Sequence, residues 1–349
     1  MGFTPIRDET QVSAVLVIAP SWVGDMVMAQ SLFRLLKAQD PERAIDVLAP
    51  GWTLPLLERM PEVRTSIDMP LGHGELKLGV RRRLGIRLRD GHYAQAIVLP
   101  NSLKSALVPF WARIPRRTGY IGELRQWLLN DCRRLDKVHL PMTVQRFVAL
   151  GLPEGAPLPE PVPVPRLVSR EVDRQAAAKR LGVSNKDKPV LALCPGAEFG
   201  PAKQWPEEYY ARIARTWLDR DWHVWLFGSA NDAGVCGRIN VLAGERCANL
   251  AGRTSLAEAI DLLAMAAFVV SNDSGLMHVA AALQCPILAI YGSSDPGFTP
   301  PLSKTARVER LGLDCSPCFK RECPLGHLKC LRELAPERII AAMDEVMKQ

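Results

Sequence analysis

The chain contains no apolar run approaching the roughly 20 residues that a bilayer-spanning helix requires, so no transmembrane segment is expected. Met1–Gln11 carries acids and no long apolar stretch before Val12, which excludes a secretory signal there and makes the cytoplasm the expected compartment. Two nucleotide fingerprints are missing as well. The loop after the first apolar run holds Gly24 but lacks the further glycines of a dinucleotide turn, and G-x-x-x-x-G-K-S/T occurs nowhere. Nicotinamide and P-loop chemistry are therefore disfavoured. The arginine-rich part of the chain lacks a recognition module or an aromatic platform, so a nucleic-acid partner is not expected.

What is present is an ordinary soluble composition, 48% apolar and 23% charged over 349 residues, enough for two domains with substantial cores. The net charge of +7 is unevenly placed, because Lys77–Lys137 alone holds 14 Lys/Arg against 4 Asp/Glu. Such a segment fits either a polyanionic partner (an anionic membrane surface or a phosphorylated substrate) or a set of solvated helix faces.

Short apolar strands alternate with amphipathic helices. Strands are read at Ser13–Pro20, Ile45–Leu48 and Ala94–Leu99, with helices at Met26–Lys37, Leu54–Arg59, Glu75–Arg89 and from Leu103. Prolines at 153, 157, 159, 161, 163 and 165 then exclude helix and central strand, marking an extended linker over about 152–166. The alternation restarts with a helix at Val172–Leu181 and strands at Pro189–Cys194, Trp222–Phe227, up to Ser271, and last at Pro286–Ile290. The expected fold is α/β, two doubly wound parallel-sheet domains at 1–165 and 166–349 facing each other across a cleft. Ligands in such sheets bind outside the carboxyl ends of the strands.

Three of those loops carry chemistry. Asp25 opens a helix after the first strand and fits either a general base or a first-turn acid that complements the helix dipole. In Pro195–Pro206, two glycines and three prolines hold an irregular backbone that sets Lys203 just before a helix, a position suited to a diphosphate. In Val269–Leu283 a buried strand ends at Ser271-Asn272-Asp273, and a helix opens at Ser274 or Gly275 with unpaired backbone N–H groups. His278 sits one turn in, to reach a phosphate, to order Asp273, or simply to pack. Cys315, Cys318, Cys323 and Cys330 have zinc-like spacing with His327 as a competing ligand, against the alternatives of a redox-sensitive knot or an ordinary thiol-rich loop.

Taken together, Ser21-Trp22-Val23-Gly24-Asp25, Pro195–Pro206 and Asn272–His278 resemble the ADP-heptose:lipopolysaccharide heptosyltransferases, glycosyltransferase family 9. Pro70-Leu71-Gly72-His73-Gly74, Leu99–Pro109 and Tyr291-Gly292-Ser293-Ser294 extend the likeness over nearly the whole chain, while the cysteine cluster departs from it. The resemblance implies a GT-B fold with two Rossmann-like domains, acceptor on the first and nucleotide-sugar on the second. It leaves room for the last helix to pack back toward the first domain. It also implies inverting transfer of L-glycero-D-manno-heptose from ADP-heptose to a lipid A-linked core acceptor, heptosyl-Kdo2-lipid A or another, with no cofactor and no catalytic metal. By the same resemblance Asp25 is the general base. Gly196, Glu198, Lys203, Asp273, Ser274, Gly275 and His278 bind the donor, and Gly24, Asn101, Ser102 and Lys104 the acceptor. The basic segment then faces the anionic lipid at the cytoplasmic face of the inner membrane. A sugar-nucleotide epimerase is the alternative of another enzyme class, sharing the architecture but needing no acceptor.

Overall fold

The computed structural model describes residues 14–72 and 74–348. The reading of Met1–Gln11 and the His73 of the Pro70–Gly74 stretch lie outside the described residues. In chain order, the first part comprises β1 (Val15–Ile18), α1 (Val23–Gln39), β2 (Ile45–Pro50), α2 (Leu54–Leu57), β3 (Thr65–Met69), α3 (Leu78–Arg87), β4 (Gln95–Val98), α4 (Leu103–Trp111), β5 (Arg116–Tyr120), β6 (Asp131–Arg133) and α5 (Thr143–Leu150). Residues 151–170 form neither helix nor strand. There follow α6 (Glu171–Leu181), β7 (Val190–Cys194), α7 (Glu207–Asp219), β8 (His223–Leu226), α8 (Ala233–Leu242), β9 (Ala248–Asn249), α9 (Leu256–Leu263), β10 (Phe268–Asn272), α10 (Gly275–Ala282), β11 (Ile287–Ile290), β12 (Ala306–Glu309), α11 (Lys329–Arg332) and α12 (Pro336–Val346).

The strands form two six-stranded sheets, β3-β2-β1-β4-β5-β6 and β12-β11-β10-β7-β8-β9. Every pairing is parallel, with Val17 level with Val47 and Ile97 in one sheet, and Val270 level with Leu193 and Leu288 in the other. Counted from its own first strand, each sheet has the same doubly wound order, so the winding reverses between β1 and β4 and again between β7 and β10. At such a switch point the two flanking loops diverge and leave a crevice for a ligand. The central strands are fully buried, and runs such as Val15–Ile18 and Val190–Cys194 are accordingly continuous apolar rather than alternating.

By its contacts the chain divides into two compact units. One holds the described residues up to Ser21, then Ser31–Leu140 and Gln145–Pro163; the other holds Trp22–Gln30, Pro141–Val144 and the chain from Val164 onward. The first core gathers Leu16, Ile18, Val98, Val108 and Leu129 around its sheet. The second gathers Trp205, Tyr210, Trp217, Val270 and Ile290, and the apolar face of α12 (Ile339, Ala342 and Met343) lies in this same core. The first turns of α1 count with the second unit, where Gln30 donates from Nε2 to the Arg166 carbonyl at 2.7 Å and accepts from the Arg166 N–H at 2.8 Å.

Several elements differ from the sequence expectation. Pro286–Ile290 does not contain the last strand, because β12 pairs outside it. The short strands β3, β5 and β6 and the helix α5 were not legible. Three of the four missed strands, β3, β6 and β12, are sheet edges, where one side of the strand faces water and polar residues blur the apolar signal. The basic helix starts at Leu78 rather than Glu75, since the Glu75 carboxylate accepts the Gly72 N–H at 2.8 Å and Lys77 takes a left-handed conformation.

Candidate active site

Of the loops at the second switch point, the one after β7 is fixed at both ends by one side chain. Asn272, the last residue of β10, is fully buried; its Nδ2 donates to the Pro195 carbonyl at 2.6 Å. Its Oδ1 accepts from the Trp205 N–H at 3.2 Å and the Tyr210 hydroxyl at 2.9 Å. A buried amide with all these groups satisfied rigidifies its surroundings. From the sequence Asn272 was only one of the polar residues that end the strand, with no anchoring role assigned to it; its signal was a polar side chain at the end of a buried strand.

Between those anchors Pro201–Lys203 makes one 3-10 turn. Gly200 precedes it at φ 148°, and a Cβ there would stand 2.6 Å from the Arg321 carbonyl oxygen, so only glycine fits. The turn carries the Lys203 ammonium to the Asp273 carboxylate at 2.5 Å, with side chains 17% and 4% exposed. It also brings Nζ to 5.0 Å from the Phe199 ring centroid. The lysine from the β7 loop and the aspartate after β10 thus meet where the winding reverses.

Helix α10 starts at Gly275, with Ser274 extended before it and no side chain capping its first N–H groups, which leaves donors and a partial positive charge for an anion. Gly275 is required by close packing, since a Cβ would come 2.9 Å from the Cβ of Val23. Gly24 answers it: a Cβ there would stand 2.7 Å from Cδ2 of the His278 ring. The start of α1 therefore lies against the start of α10, within the second unit.

That contact sets the two titratable groups of the site. Burial raises the Asp25 carboxyl to about 6; the Lys203 charge opposes the rise and the Asp273 charge adds to it. Burial lowers His278 to about 4 in spite of the favourable Asp273 charge, with Lys203 acting in the same direction as burial. His278 is therefore a neutral imidazole at neutral pH, able to hydrogen-bond but not to supply charge. Gly196 lies against Asp232, whose carboxylate a Cβ would meet at 2.5 Å and which accepts from the Ser229 N–H at 2.8 Å. Glu198 is exposed on the same loop.

Asn101, Ser102 and Lys104 follow β4 and belong to the first unit. Two buried arginines hold their loop. Arg125 donates to the Asn101 Oδ1 at 3.0 Å, the Ser105 hydroxyl at 3.2 Å and the Tyr120 carbonyl at 2.6 Å, and also to the Pro100 carbonyl. Arg81 donates to the carbonyls of Leu76 at 2.7 Å, Glu75 at 2.9 Å and Lys104 at 3.3 Å. Glu123 closes the start of α4 by accepting the Leu103 N–H at 2.8 Å. Sequence reading counted Arg81 and Arg125 with the surface charge. Both are instead internal cross-links, as is Arg133 on the carbonyls of Ala149 and Leu152, each at 2.7 Å. The surface part of the basic segment is accordingly smaller than its net charge suggests.

The second unit thus offers a carboxylate raised close to neutrality, a lysine and an open helix N-terminus, the parts needed to take a proton and to hold a diphosphate. A family model described as "Glycosyltransferase family 9 (heptosyltransferase)" matches residues 81–329. The chain is 48% identical to lipopolysaccharide heptosyltransferase 2 of Escherichia coli strain K12, covering 96% of this chain and 99% of that protein. It is 45% identical to lipooligosaccharide heptosyltransferase 2 of Haemophilus influenzae, over 95% and 99% of the two. Among solved structures, the E. coli ADP-heptose lipopolysaccharide heptosyltransferase II superposes with a TM-score of 0.87 at 44% identity, covering 96% of this chain and 99% of that one.

Proposed function

The chain belongs to glycosyltransferase family 9, the heptosyltransferases, and from that premise we propose the reaction its site carries out. It transfers a heptose in the synthesis of the lipopolysaccharide inner core. The donor is ADP-heptose and the acceptor heptosyl-Kdo2-lipid A. The observation that carries this reading is the grouping of Asp25, near pH 6 in its titration, with the Lys203–Asp273 pair.

In the transfer, an acceptor hydroxyl attacks C1 of the heptose from the face opposite ADP, and the C1–O bond to the diphosphate breaks as the new glycosidic bond forms. Configuration inverts. Asp25 takes the hydroxyl proton. The electron pair leaves with ADP, whose growing charge meets Lys203 and the first N–H groups of α10. His278, neutral, supports the same region by hydrogen bonding, and Gly196, Glu198, Ser274 and Gly275 complete the donor side. No cofactor enters this scheme. Asn101, Ser102, Lys104 and Gly24 serve the acceptor, with Arg125 and Arg81 holding the β4 loop in place.

The same reading puts the enzyme on the cytoplasmic face of the inner membrane as a peripheral protein. No helix among the described residues is long and apolar enough to cross a membrane. Helix α3 exposes Arg82, Arg83 and Arg87 together with Leu78 and Ile86, a mixture suited to anionic headgroups and the apolar layer beneath them.

Incubation with ADP-heptose, with and without heptosyl-Kdo2-lipid A, tests the reaction. ADP release is expected only with acceptor. Release at the same rate without it would overturn the transferase reading.

A further inference from the structure

Residues 310–328 form no helix or strand, a length of irregular chain that compact domains rarely carry without a function or a staple. Cys315, Cys318, Cys323 and Cys330, with His327 and Ser293, line one cavity of about 20 Å³, room for a single ion or water. All four cysteines are free thiols. The Ser293 hydroxyl facing this cavity is 1% exposed and has no hydrogen-bond partner. His327 is the weaker candidate ligand, because its Nδ1 already accepts the Lys329 N–H at 3.0 Å.

The cavity also adjoins the Lys203 turn. The Ala202 N–H donates to the Arg321 carbonyl at 3.0 Å, the Phe319 N–H to the Ser293 carbonyl at 2.7 Å, and the Ser316 hydroxyl to the Gly292 carbonyl at 2.5 Å. The Arg321 guanidinium lies 5.5 Å from the centroid of Phe199, the ring that Lys203 approaches.

We propose that Cys315, Cys318, Cys323 and Cys330 bind one soft divalent cation of the zinc class, and that this ion clasps the irregular loop onto the turn that carries Lys203. Four sulfur ligands, two of them in a Cys-x-x-Cys step, match the tetrahedral preference of zinc. Binding releases four thiol protons to solvent and leaves a site charge of −2, which Lys320, Arg321 and Lys329 in the same segment offset. Among the described residues no three such side chains are already gathered around a point. The ion closes the site, by rotation of thiols that line the same small space, rather than finding it ready-made. The site is structural and separate from the transfer chemistry.

Protein prepared under reductant is expected to carry about one zinc per chain by elemental mass spectrometry. Cobalt loading should give the intense near-ultraviolet absorption of cobalt–thiolate bonds. The double variant Cys323→Ser/Cys330→Ser should lose both signals. Chelation should raise hydrogen exchange at residues 313–328 and 200–204 together. Wild-type protein that, after exposure to excess zinc or cobalt, holds neither metal and retains four titratable thiols in this segment would overturn the site. Bound zinc whose removal leaves exchange at 200–204 unchanged would overturn the clasp. None of these readouts uses heptose transfer, so their failure and failure of the proposed reaction are distinguishable.

Discussion

Two cations, Arg125 and Lys203, show opposite uses of a buried positive charge. Arg125 is fully buried and its N–H groups go to two main-chain carbonyls, an amide oxygen and a hydroxyl, while burial lowers its pKa to about 10. Its geometry is complete without a ligand. Lys203 is paired with a single carboxylate at the mouth of a helix N-terminus and keeps some exposure, so an incoming phosphate can share it. What separates the two cations is less burial than whether their hydrogen bonds are already closed.

The comparison can be broken in four places. The largest effect is expected at Asp25, whose titration Lys203 holds down. Asp25→Asn should lower kcat by about 10²–10⁴ in the acceptor-dependent assay. The wild-type rate should rise with pH through about 6 and level off above, because only the carboxylate can accept the proton. The stability sign is opposite. A carboxyl whose folded pKa is raised by burial favours the fold below its unfolded pKa and loses that contribution as pH rises through about 6. Asp25→Asn should therefore melt higher than wild type at pH 8, by on the order of 2 °C, and not at pH 4.

Next in size, Lys203→Met should reduce kcat/KM by about 10²–10³ and weaken ADP binding in calorimetry. It should also move the acid limb of the rate profile to higher pH, since the charge that lowers the Asp25 pKa is gone. An unmoved limb would separate Lys203 from the base.

Arg125→Met should instead cost about 3 kcal/mol in urea unfolding, from carbonyls and an amide left without donors. The folded fraction is expected to bind ADP normally. Weakened ADP binding at wild-type stability would erase the contrast drawn between the two cations. The smallest effect is expected at the surface. Arg82→Gln with Arg83→Gln should lower binding to anionic vesicles several-fold at low salt and little at high salt, with no change for neutral vesicles. Arg81 is not a member of that set, because its guanidinium is buried on three carbonyls.

Much of this was legible in the chain. The buried parallel strands announced themselves as continuous apolar runs, and the residues of the site stand at the strand ends, where a ligand crevice is expected. The edge strands β3, β6 and β12 were hidden, because a strand with one side in water keeps few apolar residues. Arg81, Arg125 and Arg133 were misread as surface charge: composition counts guanidinium groups but not the carbonyls that surround them. Asn272 was overlooked because its three partners, Pro195, Trp205 and Tyr210, are more than sixty residues away in the chain.

By itself, then, the sequence determined the doubly wound α/β class, the family, and the chemical types available at the strand ends. Each depends on local periodicity or on short motifs that survive without knowledge of distant neighbours. Only the tertiary structure decided that Asp25 titrates near 6, that His278 is neutral, that Lys203 meets Asp273, and that three arginines are cross-links rather than a docking face. A pKa, an ion pair or a closed set of hydrogen bonds is fixed by water excluded and charges brought together within a few ångströms, and folding alone sets those distances.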